Sequence, residues 1–320
     1  MPQNPIMSVA EYQTALPELF PGSNKGQIEG EADEDQTGVP LGRKGFADII
    51  EYRFVTLAGR DKKIIPVSGL IPKQNNAGKA CSQEKKYKDY AIVLRRTWVQ
   101  QGKSSVPARI ELEIQSEELC QAFRKIAINT YEGTDMDSFP IKINCPFPEL
   151  FFYRDEIKDL AEKDPNKNVR RQAQILYKFV TENGLMSGFL IDHEKYYDKG
   201  QVVTDILWTI YPPNSILVVQ VGMIQECWIC RNVSIKSDES GVHWIIVGFR
   251  IGYDGLSLGM VRQEFAIPMT TVGLYKISNL PIVPLEKHED RDALERKLAM
   301  RATHLQDMLG NDFNSFSAKQ

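Results

Sequence analysis

The sequence predicts an α+β fold: an N-terminal hairpin plus amphipathic helices, followed by a small antiparallel β-sheet or partly closed barrel and a C-terminal helix. Three observations carry that expectation. Arg109-Ile110-Glu111-Leu112-Glu113-Ile114 alternates polar and apolar residues, the period of a strand with one buried face. Between residues 116 and 184 apolar residues instead recur at helical spacing, as in Leu119, Phe123 and Ile126 or in Val169, Ala173, Leu176 and Phe179. From residue 201 short β-prone runs return, separated by Pro-Pro, Gly or charged turns.

Taken in order, residues 1–45 are expected to be a disordered acidic tail. They are rich in Pro, Gly, Gln and Glu and carry the cluster Glu29, Glu31, Asp33, Glu34 and Asp35, so burial cannot offset their ordering entropy. An α+β subdomain is expected over 46–200. It opens with the β-prone run Ile49, Ile50, Tyr52, Phe54, Val55 and Leu57, ended by Gly59. The runs 91–99 and 109–114 flank a Gly-containing turn and predict an antiparallel hairpin. Ser116 is placed to cap a helix whose first turn holds Glu117 and Glu118, favourable for the helix dipole. Pro146 and Pro148 introduce a second helix through Leu150, Ile157 and Leu160. Asp164-Pro165 predicts a third helix start, with Gly184 as its stop. A small β-rich subdomain is expected over 201–285, with strands at 216–221, 227–235, 243–252 and 260–267. A C-terminal helix over 286–310 starts at Glu289 or Asp290, lines Leu294, Leu298, Leu305 and Leu309 on one face, and ends at Gly310 before a polar tail over 311–320.

Composition excludes several function classes. With 39 basic and 42 acidic residues in 320 the formal charge is -3, too balanced for bulk attraction to nucleic acid or anionic lipid. No apolar run approaches the roughly 20 residues that span a bilayer, and the N-terminus lacks a secretory pattern, so a soluble intracellular protein is expected. The five cysteines are odd in number and irregularly spaced, which suits reduced thiols.

Several catalytic motifs occur in outline, each in the wrong setting. Gly102-Lys103-Ser104 resembles the end of a phosphate loop, but Thr97 stands where the earlier glycine belongs and the segment lies between two strands. Gly78-Lys79-Ala80 is weaker still. Gly255-Leu256-Ser257-Leu258-Gly259 has the spacing of a nucleophile elbow, yet a strand rather than a helix follows. Cys227-Trp228-Ile229-Cys230 has redox spacing without a helix to lower a thiol pKa, and on a strand the two cysteines point to opposite faces. Asp192-His193-Glu194, beside Lys195, Tyr196 and Tyr197, reads as an exposed loop. The cluster Lys85-Lys86-Tyr87-Lys88 with Arg95 and Arg96 could meet phosphates, or be a solvated turn and the polar face of a strand. No catalytic residue, metal ligand or cofactor is therefore assigned.

In order along the chain, 110–119, Leu150-Phe151-Phe152-Tyr153-Arg154-Asp155-Glu156, Thr204 to Pro213 with its Leu-Trp-x-x-Tyr-Pro-Pro block, Tyr253-Asp254-Gly255, and Leu280-Pro281-Ile282-Val283-Pro284-Leu285 resemble the uncharacterised region ahead of the ATPase module in filamentous-fungal AAA+ ATPases. The resemblance covers about residues 46–310. It departs from that family in lacking the phosphate loop, magnesium site and arginine fingers of the motor, so ATP hydrolysis is not implied. Regions ahead of such motors commonly recognise substrates or adaptors. The resemblance thus implies a non-catalytic binding or adaptor-type domain, with a protein client or a full-length AAA+ relative as partner; composition, rather than the resemblance, argues against a membrane and ranks nucleic acid below a protein. Tyr153, Arg154 and Asp155 in the helix block and Tyr253 and Asp254 in the turn are the candidate partner surface. A hydrolase at Ser257, a thiol enzyme at Cys227 or Cys230, and a nucleic-acid module through 85–96 are the alternatives.

Overall fold

The computed structural model describes residues 44–56, 59–66, 87–101, 104–222, 224–239, 241–253, 258–269 and 273–317. Residues 1–43 of the tail expected over 1–45, Gly78-Lys79-Ala80, Lys85, Lys86, Gly102, Lys103, Asp254, Gly255 and Ser257 lie outside the described residues, and the tail's last two residues, Lys44 and Gly45, instead open a strand.

A five-stranded mixed sheet occupies the N-terminal half. It comprises β1 (Lys44–Thr56), β2 (Gly59–Pro66), β3 (Tyr90–Gln101), β4 (Ser104–Ile114) and β5 (Ile141–Asn144), in the order β2-β1-β3-β4-β5. β3 and β4 form the expected antiparallel hairpin, with a register shift at Thr97/Trp98. β1 lies parallel to β3, a pairing that strand periodicity alone does not reveal.

One sheet face packs on helices. Phe46, Ile92, Leu94, Leu112 and Ile114 meet α1 (Glu117–Ile126) and α4 (Lys167–Glu182) through Leu119, Phe123, Leu176 and Phe179. Ser116 caps α1 as expected, its Oγ accepting from the Leu119 N–H. The opposite sheet face corrects the one-buried-face reading of β4, because Glu111 and Glu113 are buried as well. The reason is an ion network. Arg95 reaches Glu51 Oε2 at 2.5 Å and grips Glu113 through Nε and Nη2 at 3.1 and 3.0 Å, while Gln115 donates to Glu113 at 2.9 Å. Burial alone would raise both carboxyls; Arg53 with Arg95 at Glu51, and Arg95 foremost at Glu113, hold them below the usual carboxylate range.

Two short helices, α2 (Pro148–Phe152) and α3 (Arg154–Lys163), replace the single second helix expected, with the break at Tyr153. The third start is also corrected. Asp164 closes α3, its Oδ1 accepting from the Asn166 N–H, and Asn166 rather than Asp164 caps α4. Nor does Gly184 stop the helical region: Asn183 caps a further helix, α5 (Gly184–Tyr196), that absorbs Asp192, His193 and Glu194.

The C-terminal half holds the strands expected from residue 216. β7 (Ile216–Val221), β8 (Ile224–Asp238), β9 (Gly241–Tyr253), β10 (Leu258–Pro268) and β12 (Ile282–Pro284) form an open antiparallel sheet ordered β10-β9-β8-β7-β12. β6 (Gln201–Val203) and β11 (Leu274–Lys276) pair separately. α6 (Arg291–Ser317) lays Leu294 and Leu298 over Val218 and Cys227 on the outer face of this sheet, then runs past Gly310, where the sequence predicted a stop.

The two halves share one hydrophobic core, and the 207–213 block is their joint. Thr204–Ile210 winds as a 3-10 segment that buries Ile206, Leu207, Trp208, Thr209 and Ile210. The Trp208 ring lies edge-on to Phe151, Phe152 and Phe189 at 5.0, 5.9 and 5.6 Å, which establishes it as a core anchor. Tyr211 spans the seam: its carbonyl accepts from the Tyr131 hydroxyl at 2.6 Å, and its own hydroxyl donates to the Ile282 carbonyl at 2.8 Å. After Pro212-Pro213, Asn214 takes φ 63°, a left-handed turn that asparagine tolerates.

Candidate functional site

Along α5 the residues Met186, Phe189, Leu190, His193 and Tyr197 recur at helical spacing, so the helix that buries Phe189 carries His193 towards the joint. His193 Nδ1 lies 3.0 Å from Thr209 Oγ1. The Thr209 hydroxyl proton is already given to the Ile206 carbonyl at 2.8 Å, so the threonine oxygen accepts and His193 carries its proton on Nδ1. Nε2 is left as an acceptor, with no hydrogen-bond partner among the described residues.

Two cations stand around this imidazole, each seated on an aromatic ring that touches it. The Arg154 guanidinium lies 5.1 Å over the Phe151 ring, whose centroid is 5.1 Å from that of His193. Lys287 Nζ lies 3.6 Å over Tyr197, and Tyr197 stacks on His193 at 4.4 Å. The Tyr197 hydroxyl donates to Glu286 Oε1, and Lys287 donates to the Tyr197 carbonyl at 3.3 Å. Arg154 donates to the Phe151 carbonyl at 2.9 Å, closing the end of α2. Among the described residues neither Arg154 nor Lys287 has a carboxylate within ion-pair distance. Burial, then Arg154 and Lys287, push the His193 pKa down to about 4, so it is neutral at pH 7.

The chemical character of the site is therefore two half-buried cations around a neutral acceptor. It suits an acidic group. The lowered His193 pKa also sets a pH dependence. The unfolded chain binds the proton more readily, so this contribution to stability is complete above the unfolded pKa of 6.5 and is lost as pH falls towards 4. With the imidazole partly screened by solvent, on the order of 1 kcal/mol is expected. Thermal unfolding of His193→Gln between pH 7 and 4 should show a flatter decline than the parent chain.

Residues 192–289 match a family described as a domain of unknown function, DUF7025. No curated protein and no solved structure matches the chain. The DUF7025 segment runs from the last turn of α5 to the approach to α6. It supplies His193, Tyr197, Thr209, Glu286 and Lys287, bringing its two ends together, whereas Arg154 and Phe151 come from outside it.

The residues expected at a partner surface fall on separate elements. Arg154 joins the cluster. Tyr153 turns to the 127–131 loop, its hydroxyl accepting from the Asn129 N–H and donating to the Asn129 carbonyl, both at 2.8 Å. Asp155 is exposed in the first turn of α3. Tyr253 ends β9 opposite Leu258, and Asp254 lies outside the described residues, as does Ser257. The DUF7025 segment places Cys227 and Cys230 on opposite sheet faces as anticipated: Cys227 lies under α6, and Cys230 donates to the Tyr211 carbonyl at 3.6 Å with its pKa pushed up to about 12 by burial.

Three described residues of the basic cluster are paired or buried. Arg95 is consumed by Glu51 and Glu113, Arg96 binds Asp48 through two bonds at 3.1 and 2.9 Å, and Tyr87 is buried. Sequence reasoning placed His193 and Tyr197 in an exposed loop and did not name Lys287. The helical stripe from Met186 to Tyr197 was the available signal, hidden because Gly184 reads as a stop. No helix among the described residues is long and apolar enough to cross a membrane.

Proposed function

We propose that the chain is a non-catalytic binding module whose recognition point is the Arg154–His193–Lys287 cluster, reading an acidic group on a protein partner. The observation that carries the reading is the pair of cations, each held on an aromatic ring beside one imidazole and lacking a carboxylate partner among the described residues. Ring seating fixes both cations before a partner arrives, which lowers the ordering cost of binding. The resemblance to regions ahead of AAA+ motors supports the same role, with a client protein or a full-length AAA+ relative as the partner.

A fluorescent hexaglutamate peptide is a direct probe. Anisotropy should rise saturably with the parent chain, and Arg154→Gln and Lys287→Gln should each weaken binding about tenfold, with both variants first shown to keep the parent's unfolding midpoint. Binding should also weaken as salt rises. Absence of peptide binding, or affinity indifferent to both substitutions, would overturn the assignment of the site. Hydrolysis of ATP by the purified chain would overturn its non-catalytic character.

A further inference from the structure

We infer that the β10 edge is a self-recognition surface, and that two copies of this chain pair β10 against β10 in antiparallel register about Gln263. β10 ends the sheet, and among the described residues no strand lies beyond it. On the outer face of β10 Met260, Arg262, Glu264 and Ala266 are exposed; on the other face Val261 and Gln263 are exposed too, while Phe265 and Ile267 pack on the core. In an antiparallel pair only alternate residues of a strand direct their N–H and C=O groups to a given neighbour. The residues of β10 that do not bond β9 therefore offer a row of outward donors and acceptors, a template for one more strand.

What selects a second copy as that strand is the order of the side chains. With Gln263 on the two-fold axis, Arg262 falls opposite Glu264 of the other copy, and Glu264 opposite its Arg262. On the other face Val261 falls opposite Phe265, and Met260 falls opposite Ala266 on the same face as the charges. The edge is thus palindromic in charge and in apolar character, as an isologous contact requires. Within one chain Arg262 Nη1 already lies 2.9 Å from Glu264 Oε1, so the two charges are held side by side on the face they would present. Pairing would give each carboxylate a second guanidinium. A register displaced by two residues would instead leave Arg262 opposite Arg262 or Glu264 opposite Glu264, so charge specifies the alignment.

The exposed apolar surface continues across the junction. Ile251 pairs with Met260, and both are about two-thirds exposed; Ile216 pairs with Ile229 on the same outer face. Joined at β10, two five-stranded sheets would become one of ten strands. The contact is independent of the Arg154–His193–Lys287 cluster.

Sedimentation equilibrium of the full chain over a range of concentrations tests this. The parent chain should show reversible association from one mass to twice that mass. Arg262→Glu should raise the dissociation constant about tenfold or more, since each substitution is felt twice across the axis, and the exchange Arg262→Glu with Glu264→Arg should restore it. Gln263→Cys should cross-link to its own counterpart under mild oxidation, whereas Ala266→Cys should not. A parent chain that stays at one mass throughout overturns the proposal. So does a dimer indifferent to Arg262→Glu, or one lost in the single variant and not recovered by the exchange.

Discussion

Arg95→Ala is expected to destabilise the chain by about 3–5 kcal/mol, because it removes the buried cation shared by two buried carboxylates, leaving them only the largely exposed Arg53 and Lys142. Glu51 and Glu113 are each 3 % exposed and Arg95 is 8 % exposed, so water cannot replace the lost guanidinium. The fall should appear as a lower urea midpoint with an unchanged slope. Replacing all three, as Arg95→Met with Glu51→Leu and Glu113→Leu, should recover most of the loss, since apolar groups of similar volume leave no uncompensated charge.

The pH profile separates a charge effect from a packing effect. In the parent chain both carboxyls sit below their ordinary value of 4.5 when folded, so their contribution is present above that pH and is lost as pH falls through the lowered folded values. Without Arg95 the main influence lowering Glu113 is gone and burial pulls it upward, while Glu51 keeps Arg53. The variant should then lose less stability on acidification than the parent. A variant whose acid profile parallels the parent's would show that the network contributes through shape alone.

Trp208→Ala should cost a similar amount, about 3–5 kcal/mol. Trp208 is 2 % exposed and holds Phe151, Phe152 and Phe189 in edge contacts, so its removal leaves a cavity at the joint of the two halves. Among the described residues its indole N–H has no hydrogen-bond partner, so Trp208→Phe loses volume without losing a hydrogen bond and should cost about 1–2 kcal/mol. Chemical unfolding of the two variants checks the order. Phe151 also touches His193, and the larger cavity should therefore weaken hexaglutamate binding beyond its effect on stability. An Ala variant no less stable than the Phe variant would remove Trp208 from the role of anchor.

Strand alternation and helical spacing made most elements legible. The 91–114 hairpin, the Ser116 cap and the strands from residue 216 follow from local periodicity and turn chemistry, which act over a few residues. Three kinds of information were not local. The parallel pairing of β1 with β3 joins residues 46 positions apart, as in Glu51 with Thr97, and brings Glu51 within reach of the Arg95 side chain. Burial of Glu111 and Glu113 depends on a cation supplied by another strand. At Gly184 the usual stop residue instead sits one position after the Asn183 cap, where its small size does not interrupt the next helix.

The site was legible only in part for the same reason. Arg154 stood in a recognisable block, but the residues that give it a chemical setting arrive from distant positions. His193 comes from a helix read as a loop, and Lys287 from the approach to the terminal helix. Neither carries a local motif.

The span of α5, Gly184–Tyr196, has a bearing on what counts as a unit in this protein. The sequence segment shared with the DUF7025 family begins at residue 192, inside that helix, and its Trp208 rests on three phenylalanines that precede the segment. Cutting the chain at the family border would sever a helix near its last turn and lay bare the joint's aromatic face. The stretch that the family model matches is smaller than the stretch that shares one hydrophobic core. The matched segment and the shared core therefore have different edges, and α5 is where they part.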